Sequence, residues 1–336
     1  MTDKIRIGIN GFGRIGRTVL RAAMGRGDVE IVAINDLLPT DHLAYLLKYD
    51  SVHGGFGGSV SAANSALVIN DGTVRAFSER EPSAIGWGEA GVDLVIESTG
   101  RFLTKQAAEG HLAAGARKVL LSAPPEDDTA VFLMGVNATD YAGESIVSNA
   151  SCTTNCVAPL AKALNDAFGL EEALMLTVHA TTSSQNTVDG VARKDWRFGR
   201  GILENVIPAT TGAARMVGKV VPELNGRING MAVRVPVSDV SMIDLTCRFR
   251  ASVSYRDICT MIRAQATNAM AGILAYCDEP VVSTDMRGNP HSAIFDALAG
   301  MQTAGGLTKL VAWYDNEWGY ACRCLDLAAH MHTLLR

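Results

Sequence analysis

One stretch near the amino terminus constrains this chain more than any other. It is KIRIGI at 4–9, the glycine-rich NGFGRIG at 10–16, and RTVLRAAM at 17–24. KIRIGI alternates as a strand, the turn follows at once, and Ile15, Val19, Ala22 and Ala23 then recur at helical spacing. After a glycine-containing break at 25–28 a second apolar run, EIVAIND, begins, so the opening reads as strand, helix, strand.

The segment 57–77 differs, because an Asn-Asp-Gly turn between alternating runs predicts an antiparallel excursion. Four short apolar runs then follow: DLVIES (93–98), KVLLSA (118–123), AVFLMGV (130–136) and SIVSNA (145–150). Together they predict an α/β domain of about 150 residues, a Rossmann-type doubly wound parallel sheet. From Ser151 the pattern changes. Cys152–Phe168 reads as a helix, ALMLTVHATT as a strand, 183–203 as a long ordered loop, MAVRVPVSDVSMIDLTCRFR as two long strands and LTKLVAWYDN as another. An α+β domain with a mostly antiparallel sheet is the economical reading. A last helix, Tyr320–Leu335, is expected to return to the first domain.

Composition narrows the setting. With 336 residues, 48% of them apolar, burial outweighs chain entropy and two domains of ordinary size are expected. The amino terminus lacks the layout of a secretory signal, no apolar run approaches bilayer length, and seven cysteines form no disulfide framework or zinc-type CxxC pair. The expectation is a reducing, cytoplasmic setting and no metal. A net charge of −5 gives no reason to expect nucleic acid or a membrane surface as the main partner, so any anion must be captured locally.

Two local arrangements can do this. In Gly11-Phe12-Gly13-Arg14-Ile15-Gly16 the first glycine permits the turn and the second lets backbone N–H groups approach a pyrophosphate. The third allows close packing at the positive helix end. Asp36 ends the second strand, where a carboxylate accepts ribose hydroxyls and repels a 2′-phosphate; this favours NAD over NADP. In the second arrangement, Thr210-Thr211-Gly212-Ala213-Ala214 opens a helix, Thr182 lies near the loop, and Arg234 sits in an apolar strand. Arg234 needs an anionic partner, either a ligand phosphate or an internal carboxylate.

Ser151-Cys152-Thr153-Thr154-Asn155-Cys156 crosses from strand to helix. A thiol in a first helical turn feels the partial positive charge of unpaired N–H groups, so a lowered pKa and a nucleophilic role are expected of Cys152. Cys156 reads as a small buried residue. His179, ending an apolar strand, is the candidate base, though a lone strand histidine is often only a packing residue. His53, His111, His291, His330 and His332 are weaker candidates.

Taken together, INGFGRIGR, SNASCTTNC, TVHATT, TTGAA, NGMAVRVP, LTCR and WYDNEWGY closely resemble the glyceraldehyde-3-phosphate dehydrogenase family from residue 4 to the end. The resemblance implies a homotetramer, with an NAD domain of 1–151 plus 316–336 and a catalytic domain of 152–315. It implies a phosphorylating reaction of glyceraldehyde 3-phosphate, NAD and inorganic phosphate through a thioester on Cys152, with His179 assisting. Arg14 and Ile15 would line the pyrophosphate and Asp36 the ribose, with Arg80 and Ser122 flanking the cofactor. Asn316 would hold the nicotinamide amide and Tyr320 would lie near its ring. Ser151, Thr153, Thr211 and Gly212 would hold the attacking phosphate, and Thr182 and Arg234 that of the substrate. Ser183–Asn186 and Phe198 depart from the commoner patterns, and Arg197 and Arg200 either compensate or tie the loop to a neighbouring subunit. Two rivals are the related erythrose-4-phosphate dehydrogenase, which releases an acid through water, and a binding protein that has kept the fold. Thr182, Thr211 and Gly212 argue against the first; Cys152, His179 and Asp36 argue against the second.

Overall fold

In the computed structural model, which describes residues 4–192 and 195–333, β1 (Ile5–Asn10) runs into the glycine turn and α1 (Arg14–Ala23) leaves it. β2 (Val29–Asn35) and α2 (Thr40–Lys48) follow, then β3 (Val60–Ala63), β4 (Ala66–Ile69) and β5 (Gly72–Phe77). β3, β4 and β5 form the expected antiparallel excursion, after which β5 rejoins β2 in parallel. β6 (Leu94–Glu97), α3 (Lys105–Ala113), β7 (Lys118–Leu121), β8 (Ala130–Val131) and β9 (Ile146–Ser148) complete a nine-stranded sheet, ordered β3-β4-β5-β2-β1-β6-β7-β9-β8. Ile7, Ile9, Leu94, Ile96, Val119 and Leu120 are wholly buried in its centre, as a parallel sheet covered on both faces requires. AVFLMGV is strand only at its first two residues: the chain leaves at Phe132, which packs edge-on against Tyr141, and turns at Gly135 with φ 76°.

The second sheet begins beyond α4 (Cys152–Phe168), with β10 (Leu170–His179), β11 (Ile207–Thr210), α5 (Ala213–Val220), β12 (Ile228–Arg234) and β13 (Ser241–Phe249). α6 (Tyr255–Thr267), β14 (Leu274–Cys277), β15 (Ala293–Gln302), β16 (Thr308–Tyr314) and α7 (Trp318–Thr333) follow. The order is β11-β12-β10-β13-β16-β15-β14; β10–β12 and β14–β15 pair in parallel, and the other neighbours are antiparallel. Along β10, Ala173, Met175, Thr177 and His179 are buried, whereas Leu174 on the other face is 67% exposed.

The chain divides into one unit of Met1–Met134, Ala138–Ala150 and Ala321–Arg336 and another of Gly135–Asn137 and Ser151–Tyr320. Asn316 and Tyr320, expected in the first domain, belong to the second. Asp315 anchors that turn there: its Oδ2 accepts Gly288 N–H at 2.7 Å, and its Oδ1 accepts Glu317 and Trp318 N–H. From Ala321 on, α7 belongs to the first unit, where Arg26 pairs with Asp326 and His330 Nε2 meets the Ala138 carbonyl at 2.8 Å. Arg193, Lys194 and the expected helix end at Leu335 lie outside the described residues. Among those described, no helix is long and apolar enough to cross a membrane.

Candidate active site

In the first unit, Gly11, Asp36, Ser98 and Ser122 each follow the last residue of a parallel strand, so they share the carboxyl edge of the sheet, where open α/β sheets bind ligands. Gly11 takes φ 91° and lies so close to Thr99 that an added Cβ would sit 2.8 Å from its N; at Gly16 a Cβ would be 2.1 Å from the Gly11 carbonyl oxygen. At Gly13 the same Cβ would meet nothing within 4 Å, so space lies open above the turn. No side chain caps α1, which leaves its first-turn N–H groups facing that space. The Asp36 carboxylate accepts Phe12 N–H at 2.8 Å, tying the turn to the end of β2.

Arg14 and Ile15 are half-buried in the first turn of α1, and the Arg14 guanidinium pairs with Asp50 at 2.6 Å. Burial alone would raise the Asp50 carboxyl, but the N–H groups of His53 and Val52 and the Arg14 charge hold it at about 2. A cleft of about 470 Å³ is lined by Leu37 and Thr40, which follow Asp36 in the chain, and by Ser78 and Glu79. Arg80, next in the chain, is exposed, and Ser122 is half-buried with its N–H on the Glu97 carbonyl at 2.9 Å.

In the second unit, Ser151 is the N-cap of α4: its Oγ accepts Thr154 N–H at 3.1 Å, which starts the helix with Cys152 as its first residue. Ala150, just before, is held at φ 53°, a conformation costly for a residue with a Cβ, and it aims this first turn. His179 ends β10 and pairs in parallel register with Arg234, which ends β12, so the two side chains share a face. Cys152 Sγ lies 3.5 Å from His179 Nε2, and Arg234 Nη1 lies 2.7 Å from His179 Nδ1. Nδ1 is also 2.8 Å from the Ala180 carbonyl. These two contacts exclude each other. If Arg234 donates to Nδ1, the ring proton sits on Nε2 and faces the sulfur; if Nδ1–H donates to Ala180, Nε2 is free to take the thiol proton.

The expected lowering of the Cys152 pKa is not seen. Burial pushes the thiol up and outweighs the Arg234 charge, the Thr153 hydroxyl and the Thr153 and Cys152 N–H groups, all of which favour thiolate. Burial, reinforced by Arg234, pushes His179 down to about 4 against the Ala180 carbonyl. Both shifts favour the neutral forms, thiol and imidazole.

Arg234 has no carboxylate partner among the described residues, its Nε is buried without a hydrogen bond, and burial lowers its pKa. Of the two partners the sequence left open, the internal carboxylate is absent. Thr182 lies nearby in sequence to His179, with its N–H and hydroxyl both on Gln185 Oε1 at 2.8 and 2.9 Å and its Oγ1 3.0 Å from Ser184. Two of the variant residues thus hold Thr182, and Gln185 Nε2 is a second buried donor without a partner. Arg200 pairs with Asp189 within its own loop, at the surface. Arg197 is exposed, and Phe198 is half-buried with its N–H on the Asp195 carbonyl.

Thr211 Oγ1 accepts Ala213 N–H at 3.2 Å, and Gly212, the N-cap of α5, has open space where a Cβ would stand. Thr153 is 5% exposed, and its hydroxyl meets that of Tyr314 at 2.9 Å, a bond that turns it inward. Asn316 Oδ1 accepts from Ser241 Oγ at 2.7 Å, and Ser241 in turn accepts Ala180 N–H at 3.0 Å, linking Asn316 to the backbone beside His179. Tyr320 is buried. The sequence reading missed Tyr314, Thr177 and Ser241. Tyr314 bridges Thr153 and Thr177 and lies edge-on to His179 at 6.0 Å between ring centres. Only their places in alternating strands hinted at them.

Comparison with known proteins identifies a family. Residues 5–105 match the family described as glyceraldehyde 3-phosphate dehydrogenase, NAD binding domain, and residues 151–316 match its C-terminal domain. The chain is 54% identical over 326 residues to the cytosolic glyceraldehyde-3-phosphate dehydrogenase of Leishmania mexicana, covering 97% of this chain and 98% of that one. It is 54% identical over 327 residues to glyceraldehyde-3-phosphate dehydrogenase A of Escherichia coli strain K12, covering 97% and 99%.

Proposed function

The chain belongs to the glyceraldehyde-3-phosphate dehydrogenase family, and from that premise we propose that it oxidises glyceraldehyde 3-phosphate with NAD and inorganic phosphate to an acyl phosphate through a thioester on Cys152. The observation that carries this reading is Cys152 Sγ at 3.5 Å from His179 Nε2, with a half-buried Arg234 that has no carboxylate partner among the described residues on the far side of the ring.

The residues present fit NAD. The open space at Gly13 and the uncapped α1 suit a pyrophosphate, with Arg14 and Ile15 at its side. In the first unit Asp36, Arg80 and Ser122 suit the adenosine half; in the second, by itself, the Asn316 amide, its oxygen fixed by Ser241, has its NH2 to offer a carboxamide, with Tyr320 proposed near the ring. Bound there, NAD supplies the acceptor for the hydride that the substrate carbon gives up.

The substrate phosphate takes the Arg234 guanidinium and Thr182, with Gln185 Nε2 as a further donor. An anion on Arg234 draws it from His179 Nδ1, so Nδ1–H turns to the Ala180 carbonyl and Nε2 becomes the acceptor. His179 then takes the Cys152 proton as sulfur adds to the aldehyde carbon. The Cys152 N–H meets the oxyanion, His179 returns its proton to that oxygen to give the hemithioacetal hydroxyl, and it takes the same proton back as the carbon loses hydride and becomes the thioester. Phosphate held at Ser151, Thr211 and Gly212, with Thr153, attacks that carbonyl; the C–S bond breaks and the acyl phosphate leaves.

A cytoplasmic setting and assembly into a homotetramer belong to the same proposal. Leu174, Met231 and Met301 stand 67%, 44% and 60% exposed on strands of the second sheet, an apolar face suited to a second copy. Intact-mass measurement after mixing protein, NAD and aldehyde without phosphate tests the reaction. An acyl adduct on Cys152 that phosphate removes is expected; an unmodified Cys152 after NADH has formed rules the thioester out.

A further inference from the structure

The first unit contains a buried hydrogen-bonded line that the chemistry above does not use. Asn35, Asn10 and Glu97 are the last residues of β2, β1 and β6 and stand in register across three adjacent parallel strands. Asn35 Nδ2 donates to Asn10 Oδ1 at 2.8 Å, and Asn10 Nδ2 donates to Glu97 Oε2 at 2.5 Å. His111 Nε2 lies 3.1 Å from the same oxygen, and Trp87 Nε1 lies 3.0 Å from His111 Nδ1. An indole only donates, so Nδ1 accepts and Nε2 carries the proton to Glu97. Thr99 gives its N–H, at 2.7 Å, and its hydroxyl to Glu97 Oε1. None of Trp87, His111, Glu97, Asn10 and Asn35 is more than 4% exposed.

A buried carboxylate is costly even when donors meet both oxygens, and apolar residues of like size would hold a sheet as well. What the line holds explains why it is there. Asn35 takes Glu79 N–H at 2.8 Å and gives its amide to the Glu79 carbonyl at 2.9 Å, fixing the chain just before Arg80. Thr99, held by Glu97, is the residue against which Gly11 closes, and Ser98 Oγ donates to the Gly11 carbonyl at 2.7 Å. Both the glycine turn and the 79–80 segment therefore hang from one buried anchor.

We propose that Trp87, His111, Glu97, Asn10 and Asn35 form a positioning relay that sets the geometry of the NAD site; this rests on the reading of Gly11–Gly16 and Asp36 as that site. The five residues need touch no cofactor atom. In Glu97→Gln an NH2 replaces one acceptor, so a donor faces a donor either at His111 and Asn10 or at Thr99.

The expected result is a rise of roughly tenfold in the NAD Kd and KM, about 1.4 kcal/mol, with kcat at saturating NAD and Cys152 alkylation unchanged. His111→Gln, whose amide can still donate to Glu97, should keep NAD affinity, whereas His111→Leu should lose it; this pair decides the matter if Glu97→Gln does not fold. Wild-type NAD affinity in both Glu97→Gln and His111→Leu, or equal loss in the Leu and Gln variants, overturns the relay. Asp36→Ala separates the two readings. If it weakens NAD while the relay variants do not, the relay alone is wrong; if it leaves NAD binding intact, the site assignment is wrong.

Discussion

Replacing the three fingerprint glycines one at a time with alanine should give responses of opposite sign. At Gly13 the backbone is extended (φ −73°, ψ −158°) and the new methyl meets nothing within 4 Å. Alanine there is unstrained and reduces the freedom of the unfolded chain, so the ligand-free protein should be unchanged or more stable by about 0.4–1 kcal/mol. The same methyl occupies the space through which a pyrophosphate must approach the backbone N–H groups. Losing one charge-assisted hydrogen bond, about 1.5–3 kcal/mol, weakens NAD roughly ten- to hundredfold.

At Gly16 the Cβ would be 2.1 Å from the Gly11 carbonyl oxygen, where contacts under 3.0 Å essentially do not occur, so the turn must move by about 1 Å and both stability and NAD affinity fall. Gly11→Ala adds a positive φ to a clash with Thr99 and should behave likewise. Calorimetric titration with NAD, chemical denaturation without it, and Cys152 alkylation as a control on the second unit measure all three. Wild-type NAD affinity in a folded Gly13→Ala variant would refute the placing of the pyrophosphate over this turn.

Arg234→Gln removes the charge that lowers both Cys152 and His179, so both should titrate higher. The midpoint of the alkylation-rate profile should move to higher pH as the KM for the phosphorylated aldehyde rises, and an unmoved midpoint contradicts the contact. His179, at about 4 against an ordinary 6.5, contributes stability that is fully present above pH 6.5 and lost as pH falls toward 4. The loss is about 2 kcal/mol at pH 5 and approaches about 3 kcal/mol below pH 4. Urea denaturation of wild type and His179→Gln at pH 7 and pH 5 should show the smaller drop in the variant, and equal drops would remove His179 from the acid limb. Leu174→Lys together with Met231→Lys should reduce the oligomer seen by light scattering while each subunit stays folded; an unchanged mass assigns assembly to another face.

Much of the first sheet was legible because parallel strands buried on both faces are continuous apolar runs, and because a glycine turn fixes where strand becomes helix. α4 was readable from Ser151 onward for a related reason: an N-cap serine precedes an apolar helical pattern. β15 was missed because AIFDALAGMQ neither alternates cleanly nor avoids glycine, and β11 because IPAT carries a proline. α6 went unread as well, although Ser254 and Asp257 form a capping box that the sequence carries.

The candidate site was legible as residue types but not as contacts. A period of two assigns His179 and Arg234 to faces, yet only the parallel register between strands 55 residues apart brings the guanidinium onto the imidazole. The direction of the Cys152 shift was out of reach for the same reason. A helix start can be read from sequence, but the desolvation that outweighs it comes from the whole packed unit.

The most direct test of the thioester and its phosphorolysis is NADH formation from glyceraldehyde 3-phosphate and NAD, with and without inorganic phosphate, beside Cys152→Ala. Multiple turnovers only with phosphate, and none in the variant, are predicted. Sustained turnover without phosphate would point instead to release of an acid through water, and turnover in Cys152→Ala would contradict the account.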